Sequence, residues 1–134
     1  MKRLQQITVQ PDDVTARMFL PAQTGRYRIT AAYIRVQLGA LGGGRLPSIG
    51  VLFGGVALLY RMATGELPPL NLSESTFGVS LPNVNTAGMA GRSVFATSIP
   101  DMEMDSQFKP FIEIIGADPG DVVEELSWMI ELLE

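Results

Sequence analysis

Residues 48–61 read SIGVLFGGVALLYR: Ser48-Ile49-Gly50-Val51-Leu52-Phe53-Gly54-Gly55-Val56-Ala57-Leu58-Leu59-Tyr60-Arg61. This is the most apolar run in the chain, and its reading decides the fold. A membrane span needs about 20 mostly apolar residues. The run is shorter than that and is bracketed by Pro47 and Arg61. A phosphate loop needs a lysine and a hydroxyl after its glycines, or a spaced dinucleotide fingerprint. Gly54-Gly55 leads into Val56-Ala57-Leu58, and Gly42-Gly43-Gly44 into Arg45-Leu46-Pro47, so neither supplies one. A β-hairpin fits better: two β-prone runs flank two glycines, which accept the positive φ angles of a tight primed turn. By alternation Ile49, Val51 and Phe53 share one face, and Val56, Leu58 and Tyr60 are expected to continue it after the turn. Leu52, Ala57 and Leu59 make the opposite face apolar too. A strand pair apolar on both faces is central in a sandwich or covered by a neighbouring subunit.

Outward from the hairpin, the 134 residues are enough for one domain with a core that needs no metal or disulfide. There are no cysteines, which excludes thiolate zinc and iron–sulfur sites. There are no histidines either, which excludes Ser-His-Asp and Cys-His catalysis and removes the commonest general base. The net charge is −4 with no basic tract, which disfavours nucleic-acid binding. Lys2 and Arg3 open the chain without an apolar run behind them, so no signal peptide is expected. Hydrophobic residues make up 46% and charged ones only 18%, and mean hydropathy is +0.21. A small soluble monomer usually carries more charge, so part of the surface is expected to be buried against other chains.

Along the chain, residues 7–9 read as a short strand or extended arm, and 14–20 are apolar without a pattern. Residues 26–38 read as a long strand whose alternation changes phase, predicting a bulge near Ala31-Ala32-Tyr33. Strands are expected at 76–81, 92–99 and 108–116, the last tolerating Pro110 only at a sheet edge. A polar loop is expected over 82–91. The tail allows two readings. As a helix, Asp121 caps it, Glu124 completes a capping-box-like pair, and Val122, Leu126, Met129, Ile130 and Leu133 form a stripe. As a strand, Val122, Leu126, Trp128, Ile130 and Leu132 share one face. The all-β context favours the strand. The expected fold is an all-β, jelly-roll-like antiparallel β-sandwich of seven or eight strands, with an N-terminal arm over 1–20 and the sandwich domain over 21–134.

The order of these pieces carries a resemblance. Pro21-Ala22 precedes GRYRITAAYIRVQL, then comes PSIGVLFGGVALLYRM, a polar middle, a strand, the turn ADPGD and a closing apolar strand. This resembles small tailed-phage virion proteins with a jelly-roll sandwich, which decorate or cement capsid shells. The Gly54-Gly55 turn and the Tyr60-Arg61 end are the most specific parts. The resemblance implies a non-enzymatic structural protein without cofactors, made in the host bacterial cytoplasm and placed on the capsid surface. Its implied partners are the major capsid protein and further copies of itself, with trimers favoured, and neither nucleic acid nor membrane. A virion-surface carbohydrate- or receptor-binding module and a head–tail or tail component of the same fold are the rival readings.

Candidate chemistry is thin. Asp101, Glu103 and Asp105 alternate and would share a face on an extended segment, but they lack the turn glycine and ligand count of a calcium loop. Glu124 and Glu125 could suggest paired catalytic carboxylates, yet adjacent strand residues face opposite ways. Asn71-Leu72-Ser73 matches a glycosylation acceptor, which carries no meaning in a protein made in bacterial cytoplasm. Arginines concentrate early (Arg3, Arg17, Arg26, Arg28, Arg35) and carboxylates late. They either stay apart as a polar molecule or neutralise one another across strands. The residues expected at a partner interface are Leu4, Ile7, Val9, Leu52, Leu59, Tyr60 and Trp128, with core packing the competing role for Trp128 and Tyr33.

Overall fold

The computed structural model describes residues 3–63, 66–85 and 91–133, and these form strands and turns without a helix. Met1, Lys2 and residues 86–90 of the expected polar loop lie outside the described residues. The strands are β1 (Arg3–Val9), β2 (Met18–Phe19), β3 (Tyr27–Gln37), β4 (Leu46–Phe53), β5 (Val56–Met62), β6 (Leu72–Val79), β7 (Val84–Asn85), β8 (Arg92–Ile99), β9 (Glu103–Met104), β10 (Phe108–Ile115) and β11 (Val122–Leu132). One sheet runs β1-β11-β3-β6-β8-β7, with β9 added to β3, and the other runs β2-β10-β4-β5. Every pair is antiparallel except β6 with β8.

The two sheets share one core. Ile29, Ile34, Leu126 and Trp128 come from the larger sheet, and Met18, Ile49, Val51, Ile112 and Ile114 from the smaller. The tail is a strand, as its all-β context required: β11 lies between β1 and β3, and Leu126, Trp128 and Ile130 are fully buried.

Residues 3–20 are not a separate arm. β1 pairs along its whole length with β11, β2 pairs with β10, and Val14, Met18 and Leu20 sit in the core. The segment looked weak because it is short of apolar residues by itself. Its partner strands lie at the far end of the chain, where local pattern cannot reach.

Three bulges shift the expected faces. On β11 the extra residue is Glu124, since Val123 faces Val36 and Glu125 faces Arg35. Val123 therefore enters the core, while Val122, expected on the same face as Leu126 and Trp128, is exposed. On β3 the extra residue is Thr30: Met129 faces Ala31 and Ile130 faces Ile29, so Thr30 has no opposite number. Its hydroxyl donates to the Met129 carbonyl at 3.0 Å. On either side of this bulge Tyr27 and Ile29, then Ala32, Ile34 and Val36, all point into the core.

In the hairpin, Gly54 and Gly55 both take positive φ, 60° and 81°, as the primed turn requires. Beyond it Val51 faces Leu59 but Leu52 faces Ala57, leaving Leu58 as the extra residue. Tyr60 therefore stands opposite Gly50, on the outer face, and not in line with Ile49 and Val51 as strict alternation implied.

Pro110 lies in an interior strand, between β2 and β4, where an edge was expected. Its carbonyl accepts the Leu20 amide at 2.9 Å, so its ring nitrogen also turns toward the β2 side. There the neighbour is only two residues long, and the missing donor costs a single ladder bond.

The start of β4 is tied to the start of β11 by a buried ion pair. Arg45 grips Asp121 with two hydrogen bonds, Nε to Oδ2 at 3.1 Å and Nη2 to Oδ1 at 2.9 Å. Both side chains are fully buried. Arg45 Nη1 also donates to the Gly43 carbonyl at 2.8 Å, and Nη2 to that of Leu41. Asp121 accepts the amides of Gly39 at 2.8 Å and Asp118 at 3.0 Å. Burial alone pushes the Asp121 carboxyl up, but the hydrogen bonds from Arg45, Gly39 and Asp118 together outweigh it and hold it below its ordinary value. The glycine-rich connection before β4 is thus wrapped around one satisfied guanidinium.

Candidate interaction surface

The outer faces of the two sheets differ in kind. On the larger sheet the outer face is polar. The Thr8 and Ser127 hydroxyls lie 3.4 Å apart, Arg35 pairs with Glu124 at 3.1 Å, and Arg92 pairs with Glu74. Arg28 lies within reach of Asp101 at 3.4 Å, Glu103 at 3.7 Å and Glu131 at 3.8 Å, while Arg26 pairs with Glu103 at 2.7 Å. The early arginines and late carboxylates therefore neutralise one another across neighbouring strands. Asp101 and Glu103 serve these arginines, and Asp105 accepts the Gln107 amide at 2.9 Å. Among the described residues no cluster of acidic side chains could hold a metal ion.

The outer face of the smaller sheet is aromatic. Directly opposed residues share a face, and one register row runs Phe19, Phe111, Gly50, Tyr60 across all its strands. Phe111 is fully buried yet stands outside the main core, because its neighbours on the row cover it. Its ring centroid lies 5.7 Å from that of Phe19 and 6.1 Å from that of Tyr60. The Arg17 guanidinium sits 4.5 Å from the same centroid. Gly50 supplies the floor beneath the ring.

A polar chain borders the ring. The Tyr60 hydroxyl donates to Glu113 Oε1 at 2.6 Å, and Arg17 Nε donates to Glu113 Oε2 at 3.4 Å. The Ser48 hydroxyl lies 2.9 Å from the Glu113 carbonyl oxygen and 3.2 Å from the Tyr60 hydroxyl. Partial burial, and then the bond to Glu113, raise the Tyr60 hydroxyl above its ordinary value, so it remains a neutral donor.

Magnitudes identify what holds the patch. Burying a phenyl side chain contributes roughly 1.5–3 kcal/mol, each aromatic pair about 0.5–1.5 kcal/mol, and an exposed ion pair such as Arg17–Glu113 about 0–1 kcal/mol. The ring anchors the surface, and the polar groups fix the rotamers of Tyr60 and Arg17 around it. Tyrosine, phenylalanine, methionine and arginine are the residues enriched where proteins bury surface against each other.

The patch runs out onto β5, an edge strand of the smaller sheet with no partner on its outer side among the described residues. Val56 is 68% exposed, Leu58 57% and Met62 49%. Phe53, at the hairpin tip, is also exposed and packs on Phe108 with centroids 4.8 Å apart. Natural proteins usually blunt such an edge with charge or proline; this strand carries one charge, Arg61.

The residues expected at an interface fall into three places. Leu52, Leu59 and Tyr60 belong to this hairpin: Tyr60 is on the outer face, Leu52 is half-buried beside it, and Leu59 packs half-buried against the core. Leu4, Ile7 and Val9 lie on β1, the edge of the other sheet, with Leu4 exposed and Ile7 and Val9 packed against the core. Trp128 has no exposed surface and is a core residue. Tyr33 lies half-buried on the polar outer face. Sequence reasoning missed Phe19, Phe111, Arg17 and Glu113, because the row that joins them crosses strands far apart in the chain. Gly50, a glycine inside an apolar strand, was the one local signal of a close approach.

Among the described residues no helix is long and apolar enough to cross a membrane. No protein-family model, curated protein or solved structure matches the chain.

Proposed function

We propose that this chain is a non-enzymatic structural protein of a tailed-phage virion, a jelly-roll sandwich that forms homo-oligomers and decorates or cements the capsid by docking on major capsid subunits. The strand pairing supports the jelly-roll reading: β1 with β11, β2 with β10, β3 with β6 and β4 with β5 nest the chain as one long rolled hairpin, with β7 to β9 inserted before β10.

The observation that carries the function is the preassembled aromatic patch around Phe111 continuing onto the apolar free edge of β5. A surface of this kind is stabilised by being covered. Bound copies would stabilise a shell by mass action, and many weak contacts per particle would sum through multivalency. Analytical ultracentrifugation of the chain, alone and with purified tailed-phage heads, tests the reading. An oligomer that cosediments with the heads is the expected result. A monomer that ignores them at high concentration overturns it.

A further inference from the structure

We infer that β5 pairs antiparallel with β5 of a second copy about a two-fold axis at Tyr60, joining the two smaller sheets into one. Self-pairing deepens the homo-oligomer half of the function proposed above and rests on it.

The ladder phase supplies the first reason. The Ala63 amide donates to the Pro47 carbonyl at 2.9 Å. Residues 47 and 63 are therefore a hydrogen-bonded pair in the β4–β5 register, and so, alternately, are 49 with 61 and 51 with 59. Tyr60 and Met62 consequently turn their own amides and carbonyls away from β4, toward the free edge. Such a row is a template for a further strand, and that strand must tolerate apolar side chains on both faces.

The second reason is the sequence of the edge itself. Leu58, Tyr60 and Met62 put apolar or aromatic side chains two residues either side of a central tyrosine, so the segment complements its own inverted copy. Charge then selects the register. An axis at Arg61 would set the two guanidinium groups directly opposite, which is destabilising. An axis at Tyr60 sets Arg61 against Leu59 of the other copy, and lets the two Tyr60 residues exchange a pair of backbone hydrogen bonds. The bulge at Leu58 marks where the ladder ends. The remaining edges fit less well: β2 and β7 are two residues long, and β1 carries Arg3, Gln5, Gln6 and Thr8.

A two-fold contact builds even-numbered assemblies, in place of the trimer implied by the resemblance. The chain has no cysteine, so a single introduced thiol reports one contact. Hydrogen-bonded partners stand about 5.5 Å apart at Cα, inside the roughly 4.4–6.8 Å that a disulfide needs. Tyr60→Cys under mild oxidation is expected to give covalent dimers at least about ten times faster than Gln5→Cys on β1. Met62→Pro removes an outward amide that β4 does not use. It is expected to keep the β-sheet circular dichroism and to halve the mass measured by light scattering. A monomeric or trimeric wild-type chain, or equal cross-linking rates for the two cysteine variants, overturns the inference. A dimer that ignores phage heads leaves the inference standing and overturns the capsid role instead.

Discussion

The ring of Phe111 occupies the space that a side chain on Gly50 would need: a Cβ there would come within 2.4 Å of its Cζ atom. The two residues are register partners on adjacent strands, and the glycine lets the ring lie down against the sheet. Gly50→Ala must lift the ring or bend β4. Overpacking of this kind costs about 1–3 kcal/mol. Urea denaturation is expected to show that loss. Because Tyr60 and Phe19 rest on the same ring, the variant should also self-associate more weakly than its stability loss alone explains.

The Arg45–Asp121 pair gives a second expectation. Removing one partner of a buried ion pair leaves the other charge uncompensated, at about 3–5 kcal/mol, so Arg45→Ala should lower the unfolding midpoint sharply. The Asp121 carboxyl lies below its ordinary value of 3.8 in the folded chain. Its contribution is therefore fully present above that value and is lost as pH falls through the lower, folded value. Chemical denaturation of the wild type and of Asp121→Asn across acidic pH should give curves that converge as pH falls. A gap that stays constant with pH would refute this assignment.

Trp128 is the single tryptophan, and its side chain is fully buried. Its indole Nε1 is buried without a hydrogen-bond partner. Trp128→Phe deletes that orphaned donor while keeping a ring, so it should cost far less than Trp128→Ala, for which about 3–5 kcal/mol is expected. Native fluorescence should be blue-shifted, resistant to iodide, and unchanged on self-association. A red-shifted, quenchable emission would return Trp128 to the surface.

Much of the fold was legible because its signals are local. Gly54-Gly55 flanked by β-prone runs specifies a hairpin wherever it stands, and the turn Asp118-Pro119-Gly120-Asp121 announces β11. The phase change along β3 was visible too, and located the bulge to within a residue or so of Thr30. What escaped depends on partners distant in sequence. Nothing in residues 3–20 says that β11 will accept them, and nothing around residue 58 reveals a bulge that exists only relative to β4. The surface was half legible. The hairpin's excess of apolar residues pointed to covering, but the tyrosine that crowns the patch gains its meaning from Phe111. Arg45 offered a missed clue: a lone arginine closing a run of glycines is a natural filler for a loop with many unpaired carbonyls.

The central claim is that this protein works with the edge of its smaller sheet covered. Hydrogen–deuterium exchange read by mass spectrometry, on the dilute chain, the concentrated chain and the chain added to phage heads, tests it most directly. The account predicts that amides of residues 56–62 gain protection as the chain assembles, while those of residues 3–9 on the opposite sheet's edge do not. Equal exchange of the two edges in all three states would contradict it.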